Sequence, residues 1–124
     1  EAEWEYACRA GTTKNYYWGN EMNDSYCWYY RNSGNQVHPV GEKKPNKFGL
    51  YDMSGNVWEW CSDCYGNYPF GIISNLLGFK SGSDRVIRGG GWGHIADGCR
   101  SAFRYGFGPA SREGDLGFRL CRTP

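Results

Sequence analysis

The stretch from Phe48 to Trp60, FGLYDMSGNVWEW, carries the most information about the fold of this chain. Its two carboxylates, Asp52 and Glu59, flank a turn that contains Gly55. Such a turn can direct backbone carbonyl oxygens inward, and calcium prefers about six to eight oxygen ligands drawn from carbonyls and carboxylates. The alternative is a turn stabilised by the Asp52 side chain, with Glu59 at the surface. The residues alone leave both interpretations open.

The chain begins with a predicted helix over residues 1–10. Ala, Glu and Arg dominate it, apolar residues fall on neighbouring helical rows, and Gly11 is a natural carboxyl-terminal stop. Three Glu residues make the first turn acidic, as suits the amino-terminal end of a helix. No capping side chain precedes Glu1. We therefore expect the cap to lie upstream, in a longer parent chain.

After Gly11 the sequence predicts short strands between many turns. Two aromatic runs, at residues 16–18 and 26–30, are strand-like in composition. Further strands are predicted at residues 56–60, 85–88, around Phe103 and at 116–121. Residues 65–83 are rich in Gly, Asn and Ser, which predicts a long loop with an apolar anchor at residues 72–77. The expected fold class is α+β, with little helix, much loop and short antiparallel strands.

The composition excludes several classes of function. Because 14 Lys and Arg nearly balance 13 Asp and Glu, the net charge of +1 gives no electrostatic footprint for nucleic acid. No apolar stretch approaches the roughly 20 residues of a membrane helix, so we expect no direct membrane insertion of this segment. The 10 Tyr, 6 Trp and 6 Phe supply the apolar mass of the core, and 124 residues correspond to one domain at most.

Six cysteines raise the question of metals and disulfides: Cys8, Cys27, Cys61, Cys64, Cys99 and Cys121. Cys61 and Cys64 form a C-x-x-C pair, but zinc needs a second pair of ligands and the two histidines lack the spacing for one. We therefore expect most of these thiols to be buried and inert, with a structural disulfide as the alternative. The glycine run at residues 89–93 lacks the spacing of a phosphate loop and predicts a backbone crossing beneath a Trp side chain.

The segment from Arg85 to Arg122 combines Arg, aromatic and Gly residues and contains no Lys. Arg beside planar side chains favours stacked and bidentate contacts over a solvated face. The aromatic and small polar residues between the arginines are typical of a binding surface, and the alternative is the ordinary edge of a loop-rich core. The candidate ligand-binding residues are Trp92, His94, Ile95, Phe103, Tyr105, Phe107, Ser111, Glu113 and Asp115.

Four blocks of sequence together resemble the formylglycine-generating enzyme (sulfatase-modifying factor) family: EAEWEYA at residues 1–7, the stretch from Phe48 to Trp60, Arg88-Gly89-Gly90 followed by Trp92, and GFRL at residues 117–120. The resemblance implies a C-type lectin-like fold with little regular secondary structure, of which residues 1–124 form the carboxyl-terminal portion of a single domain. It also implies a calcium site formed by the side chains of Asp52 and Glu59 and the carbonyl oxygens of Gly55 and Val57.

The resemblance also implies an oxidase activity as one of two alternative functions. The enzymes of this family use O₂ and copper held by two cysteines to convert a cysteine in a polypeptide, such as a sulfatase, into formylglycine. Those cysteines follow the Gly-Gly-Ser block by a few residues, where this chain has Cys99 alone. Because a Cu(I) site needs two soft thiolates close together, copper is not expected here and the oxidase is the less favoured alternative.

The favoured interpretation is a non-catalytic binding protein. Some bacterial and phage members of this fold are variable proteins of diversity-generating retroelements, whose carboxyl-terminal residues are mutagenised at adenines. Many positions between 93 and 111, including His94, Ile95 and Tyr105, hold residues that an Asn codon reaches by changes in its first two bases. We therefore expect residues 92–115 to form a variable recognition surface for a protein or other macromolecule, displayed at the bacterial cell surface.

Overall fold

The computed structural model of the chain describes residues 1–68 and 81–122, and within them a single α-helix begins the fold. Helix α1 spans Ala2–Arg9 and buries Trp4 and Cys8. It ends at Ala10, whose φ of 46° lies in the left-handed region and whose N–H binds the Tyr6 carbonyl. The residue that caps the carboxyl-terminal end of the helix is therefore Ala10, one residue before Gly11, which the sequence predicts as the stop. The predicted apolar anchor at residues 72–77 lies outside the described residues.

A four-stranded sheet holds the chain together, with β1 at Trp58–Cys64, β2 at Arg85–Arg88, β3 at Arg104–Phe107 and β4 at Leu116–Gly117. The strand order is β3-β2-β1-β4. Strand β2 has the predicted bounds and pairs antiparallel with both β1 and β3. Strand β4 is shorter than predicted and pairs with β1 in parallel, so the expectation of antiparallel strands throughout is wrong at this edge. The reason is that residues 108–115 lead the chain back to the start of β1 before β4 begins.

The two aromatic runs that predict strands form turns instead, so that prediction is wrong. Tyr16 and Gly19 exchange two backbone hydrogen bonds across a tight turn, which leaves neither free for a sheet. The rings pack on one another: Trp18 stacks on Tyr16 and on Tyr26, with ring centroids 4.8 Å and 5.0 Å apart. Aromatic residues favour strands because a half-buried surface suits their rings, and here the turns supply that surface.

Two clusters of buried residues form the core. The first consists of Trp4, Cys8, Tyr17 and Met53, and the second of Tyr16, Cys27, Tyr29 and Cys99. All six cysteines are free thiols, of which Cys8, Cys27, Cys64 and Cys99 are buried. Burial raises the pKa of the Cys8 and Cys61 thiols to about 11. The prediction that most of the thiols are buried is therefore confirmed.

The predicted stacking of arginines is confirmed at the contact between α1 and the sheet. Arg88 is fully buried, lies over the Trp4 ring at 5.2 Å from its centroid, and pairs with Glu5. Arg104 donates to both carboxylate oxygens of Glu1, at 2.6 Å and 2.7 Å. These paired charges fix α1 against β2 and β3.

Within the described part of the chain, the helices lack the length and hydropathy that crossing a membrane requires.

Candidate functional site

The loop that enters the candidate surface is fixed by two glycines after β2. Gly89 and Gly90 have φ values of 95° and 77°, which L side chains rarely adopt. A Cβ on Gly90 would lie 2.7 Å from the Cys99 sulfur, and one on Gly89 would lie 3.2 Å from the Trp4 ring. The backbone therefore crosses closely over buried side chains, and the predicted crossing beneath a Trp is confirmed at Gly89.

His94 lies where this loop meets the sheet. Its Nδ1 is 3.2 Å from an Asp115 carboxylate oxygen and 3.1 Å from the indole nitrogen of Trp58. When Nδ1 carries a lone pair, it accepts the indole N–H of Trp58. When Nδ1 carries a proton, it donates that proton to Asp115, so the two hydrogen bonds exclude each other. The His94 side chain is 48% exposed. The surface therefore holds an imidazole whose tautomer decides its hydrogen bonding.

Asp115 joins the returning loop to the floor of this surface. The backbone carbonyl oxygen of Asp115 accepts the backbone N–H of Trp58 at 2.7 Å, and this bond aligns β4 with β1. Its carboxylate packs against Gly91, where a Cβ would lie only 2.5 Å from the carboxylate oxygen. Trp92 donates its indole N–H to the Gly114 carbonyl at 3.3 Å. The structure thus brings together Trp92, His94 and Asp115, which the sequence assigns to one surface.

The three other aromatic residues of the predicted surface make two separate sets of ring contacts. Phe103 packs with its ring centroid 5.9 Å from that of Trp58, the same indole that contacts His94. Tyr105 and Phe107, on β3, contact each other at 5.7 Å between ring centroids, and Tyr105 also meets Tyr65. Their ring contacts therefore form a second aromatic patch.

Ser111 and Glu113 lie in the turns that connect β3 to β4. Ser111 donates its N–H to the Gly108 carbonyl at 2.9 Å. The Glu113 carbonyl accepts the Leu116 N–H at 3.2 Å, and the Glu113 side chain is exposed. These two positions therefore form the rim of the returning loop.

A pocket that the sequence does not predict lies beside Ile95. The side chain of Ile95 is 67% exposed. With Ala96 and Asp97 it faces Met22, Tyr29, Tyr30 and Arg31 across a cavity of about 340 Å³. The backbone N–H of Tyr30 binds the His94 carbonyl at 3.0 Å, which fixes the two loops to each other. In the sequence, the cluster Tyr29-Tyr30-Arg31 could have indicated a binding surface here, because aromatic and Arg residues are frequent at interfaces.

The turn predicted to hold calcium depends on close backbone packing at Gly55. Its φ is 78°, and a Cβ there would lie 2.2 Å from the Trp28 carbonyl oxygen. Asp52 has a φ of 56°, and its carboxylate accepts the Gly41 N–H at 2.7 Å. Asn56 and Val57 lie between Gly55 and the start of β1. The Asp52 carboxylate therefore joins the chain at Gly41 to this turn, which differs from the local side-chain turn that the alternative interpretation predicts for this residue.

Glu59, the other predicted calcium ligand, is buried and already paired. It is 5% exposed, so its predicted position at the surface is wrong. Arg119 donates to both of its oxygens, at 2.6 Å and 2.5 Å, and Trp4 donates its indole N–H at 2.7 Å. Burial would lower the pKa of the Arg119 guanidinium, but the hydrogen bonds that it donates to Glu59 raise this pKa above its ordinary value.

This arrangement does not fit calcium. The guanidinium of Arg119 neutralises the carboxylate that would supply charge to the metal, and it also reaches the carbonyl of Asp52 at 3.3 Å. Among residues 1–68 and 81–122, no group of three or more acidic, His or Cys side chains is placed to hold a metal ion. Calcium at this turn would require Arg119 to release Glu59.

Cys99 has a neighbouring thiol that the sequence analysis did not identify. Cys27 and Cys99 belong to one buried cluster, and both are 0% exposed. A hydrogen bond with Cys99, together with burial, raises the pKa of the Cys27 thiol well above its ordinary value. Two adjacent thiols are the donor set that Cu(I) prefers. Because both are fully buried, the cysteine of a polypeptide substrate has no direct access to them in this conformation.

Comparison with known families gives a match over the whole chain. The sequence model of the sulfatase-modifying factor enzyme 1-like domain matches residues 1–124. The serine/threonine-protein kinase pkn1 of Chlamydia caviae is 38% identical over 128 residues, which cover 98% of this chain and 20% of that protein. The formylglycine-generating enzyme of Streptomyces coelicolor is 36% identical over 138 residues, which cover 96% of this chain and 44% of that protein.

Comparison with solved structures supports the same fold. Treponema denticola variable protein 1 superposes with a TM-score of 0.85 and 41% sequence identity, over 94% of this chain and 44% of that chain. A C-type lectin-like fold of the formylglycine-generating-enzyme type, loop-rich and with few regular elements, is therefore confirmed. The chain spans between a fifth and less than half of the length of these relatives.

Proposed function

Because this chain belongs to the sulfatase-modifying factor enzyme 1-like domain family, we propose that it binds a ligand on this scaffold without catalysing a reaction. The proposed recognition surface is residues 92–115. One observation carries the proposal: His94 and Ile95 are exposed, while the glycines beneath them are locked against buried side chains. Side chains on such a loop can change at little cost in stability, because the frame does not depend on them.

The finer proposal is that residues 92–115 vary through a diversity-generating retroelement. The likeness to a solved protein that is itself named a variable protein supports it. The source DNA tests it directly. We expect a near-identical repeat of the codons for residues 92–115 close to a reverse-transcriptase gene, with differences concentrated at adenines. An intact genomic neighbourhood without such a repeat would contradict the finer proposal and leave ligand binding to be tested separately.

The tolerance of the surface to substitution tests the broader proposal. We expect Ile95→Asn and Tyr105→Asn each to change the free energy of unfolding by less than about 0.5 kcal/mol, because exposed side chains contribute little. Val86→Asn, on β2 and fully buried, is the matched control and should lose several kcal/mol. Unfolding by urea, followed by Trp fluorescence, measures both. Losses at positions 95 and 105 as large as at position 86 would show that these residues are part of the core.

The second candidate function is oxidation of a cysteine in a polypeptide. The proximity of Cys27 and Cys99 favours it, because the pair supplies two sulfur ligands for copper. Their complete burial counts against it. Copper would supply the redox chemistry, and these two cysteines would hold it. A direct assay of peptide oxidation separates the two functions.

We also propose that the ligand is a protein or other macromolecule met at the bacterial cell surface. The exposed aromatic and aliphatic side chains of the recognition surface support a macromolecular ligand, because such side chains are typical of protein interfaces. Antibodies raised against the 124-residue chain should label intact source cells. Labelling only after the cells are broken open would contradict this location.

A further inference from the structure

We propose that the pocket between residues 22–31 and residues 95–97 is an anchoring subsite, and that it takes an aromatic side chain of a partner protein with an acidic residue beside it. This inference rests on the proposed function and specifies the chemistry of the ligand. Half of the pocket belongs to the recognition surface, through Ile95 and Asp97, and half lies outside residues 92–115, through Met22, Tyr30 and Arg31.

The walls of the pocket are held in place from behind. Tyr16 donates its hydroxyl to the Ala96 carbonyl at 2.9 Å. On the other side, Asn32 accepts the Tyr29 N–H at 2.9 Å and donates to the Cys27 carbonyl at 2.8 Å, which closes a compact turn. A pocket that exists before the ligand arrives loses little conformational entropy on binding.

The interior of the pocket is apolar and of a size that suits one aromatic side chain. Met22 and Ala96 pack against the buried cluster beneath, while Tyr30 and Ile95 are 59% and 67% exposed at the mouth. The cavity volume of about 340 Å³ is at the lower end of the range of ligand pockets. Tyr and Met are both enriched in the centres of protein interfaces, where large side chains fill such pockets.

The charges at the rim favour an acidic neighbour for that side chain. Asp97 lies 3.9 Å from the guanidinium of Arg100, so its charge is partly balanced within the surface. Arg31 is exposed and forms no salt bridge with any residue in the described ranges 1–68 and 81–122. The charge that a partner can still neutralise is therefore positive. An acidic residue next to the inserted ring meets this condition.

Two blocked dipeptides, acetyl-Trp-Glu-amide and acetyl-Trp-Lys-amide, test the proposal on the 124-residue chain. Methyl signals of Met22 and Ala96 report on the pocket in NMR spectra at millimolar dipeptide, and Met53, which is 0% exposed, is the internal control. We expect both dipeptides to shift the pocket methyls, with the Glu form binding about threefold more tightly because of Arg31. Arg31→Glu should reverse this order, and Tyr30→Ala should weaken both dipeptides.

The control variant is Tyr51→Ala, which removes a tyrosine that is 44% exposed at another site, and it should leave both affinities unchanged. The pocket proposal is overturned if Met22 and Ala96 do not shift, if Met53 shifts equally, or if Arg31→Glu leaves the order of the dipeptides as it was. Failure here is distinguishable from failure of the proposed function. The urea-unfolding test at positions 95 and 105 and the search for a repeat in the source DNA involve no dipeptide, so they decide the proposed function independently of the pocket.

Discussion

The pair formed by Glu59 and Arg119 gives the most demanding prediction. Arg119→Met removes both guanidinium hydrogen bonds to Glu59, together with those to the Tyr51 and Asp52 carbonyls. It leaves the carboxylate of Glu59, which is 5% exposed, with the indole N–H of Trp4 as its remaining partner. Removing one member of a buried ion pair costs about 3–5 kcal/mol. Because the Arg119 side chain is 31% exposed, water can replace part of the loss. We therefore expect a loss of about 2–3 kcal/mol, or a decrease in Tm of about 10 °C.

Urea unfolding monitored by Trp fluorescence measures this loss. Two further variants serve as the matched control and as a test of the unpaired charge. Arg112→Met removes an exposed arginine and should change the free energy of unfolding by less than about 0.5 kcal/mol. The double variant Glu59→Gln/Arg119→Met keeps an acceptor for Trp4 but removes the stranded charge, so it should recover at least half of the loss. The reasoning is refuted if Arg119→Met costs under about 1 kcal/mol, or if the double variant is as unstable as the single one.

Three further predictions concern the backbone crossing, the thiols and calcium. Gly90→Ala places a Cβ 2.7 Å from the Cys99 sulfur at a φ of 77° and should cost about 2–4 kcal/mol in urea unfolding, whereas Gly93→Ala, with open space around the Cβ, should be neutral; equal effects would show that the crossing is not tight. Iodoacetamide at pH 8 should modify the exposed Cys121 first, because a pKa of about 11 leaves only about one thiolate in a thousand at Cys8 and Cys61. Peptide mass mapping measures the order of modification, and Cys8 modified as fast as Cys121 in the folded protein would contradict this prediction. A calcium chelator should leave the Tm unchanged, since Arg119 already neutralises Glu59; a Tm that falls with chelator and recovers with added calcium would show that the metal displaces Arg119.

The sequence predicted those parts of the fold that depend on local pattern. Strand β2 is one example, because Val86 and Ile87 sit between two arginines and the chain flanking them turns sharply. The crossing at Gly89 is another, because consecutive glycines allow backbone to approach buried side chains. The aromatic runs at residues 16–18 and 26–30 predict strands but form turns, since their rings need a partly buried surface and turns provide one as well as strands do.

The candidate site could be predicted only in part, because its key contacts join residues far apart in the sequence. Trp92, His94 and Asp115 were assigned together since they share one segment of unusual composition. Tyr30, which binds the His94 carbonyl, lies 64 residues away, and nothing in the local sequence links the two. Glu59 was expected to be available to a metal because its partner Arg119, sixty residues later, cannot be inferred from spacing alone.

The central claim, that this chain binds a ligand without catalysis, is tested most directly by peptide oxidation. The chain, supplied with Cu(I) and O₂, is incubated with a cysteine-containing sulfatase peptide, and the peptide mass is followed. The formylglycine-generating enzyme of Streptomyces coelicolor serves as the positive control, and Cys27→Ser/Cys99→Ser as the control variant. We predict no change in peptide mass. Conversion of the peptide cysteine to formylglycine that is lost in the Cys27→Ser/Cys99→Ser variant would contradict the account and establish the oxidase.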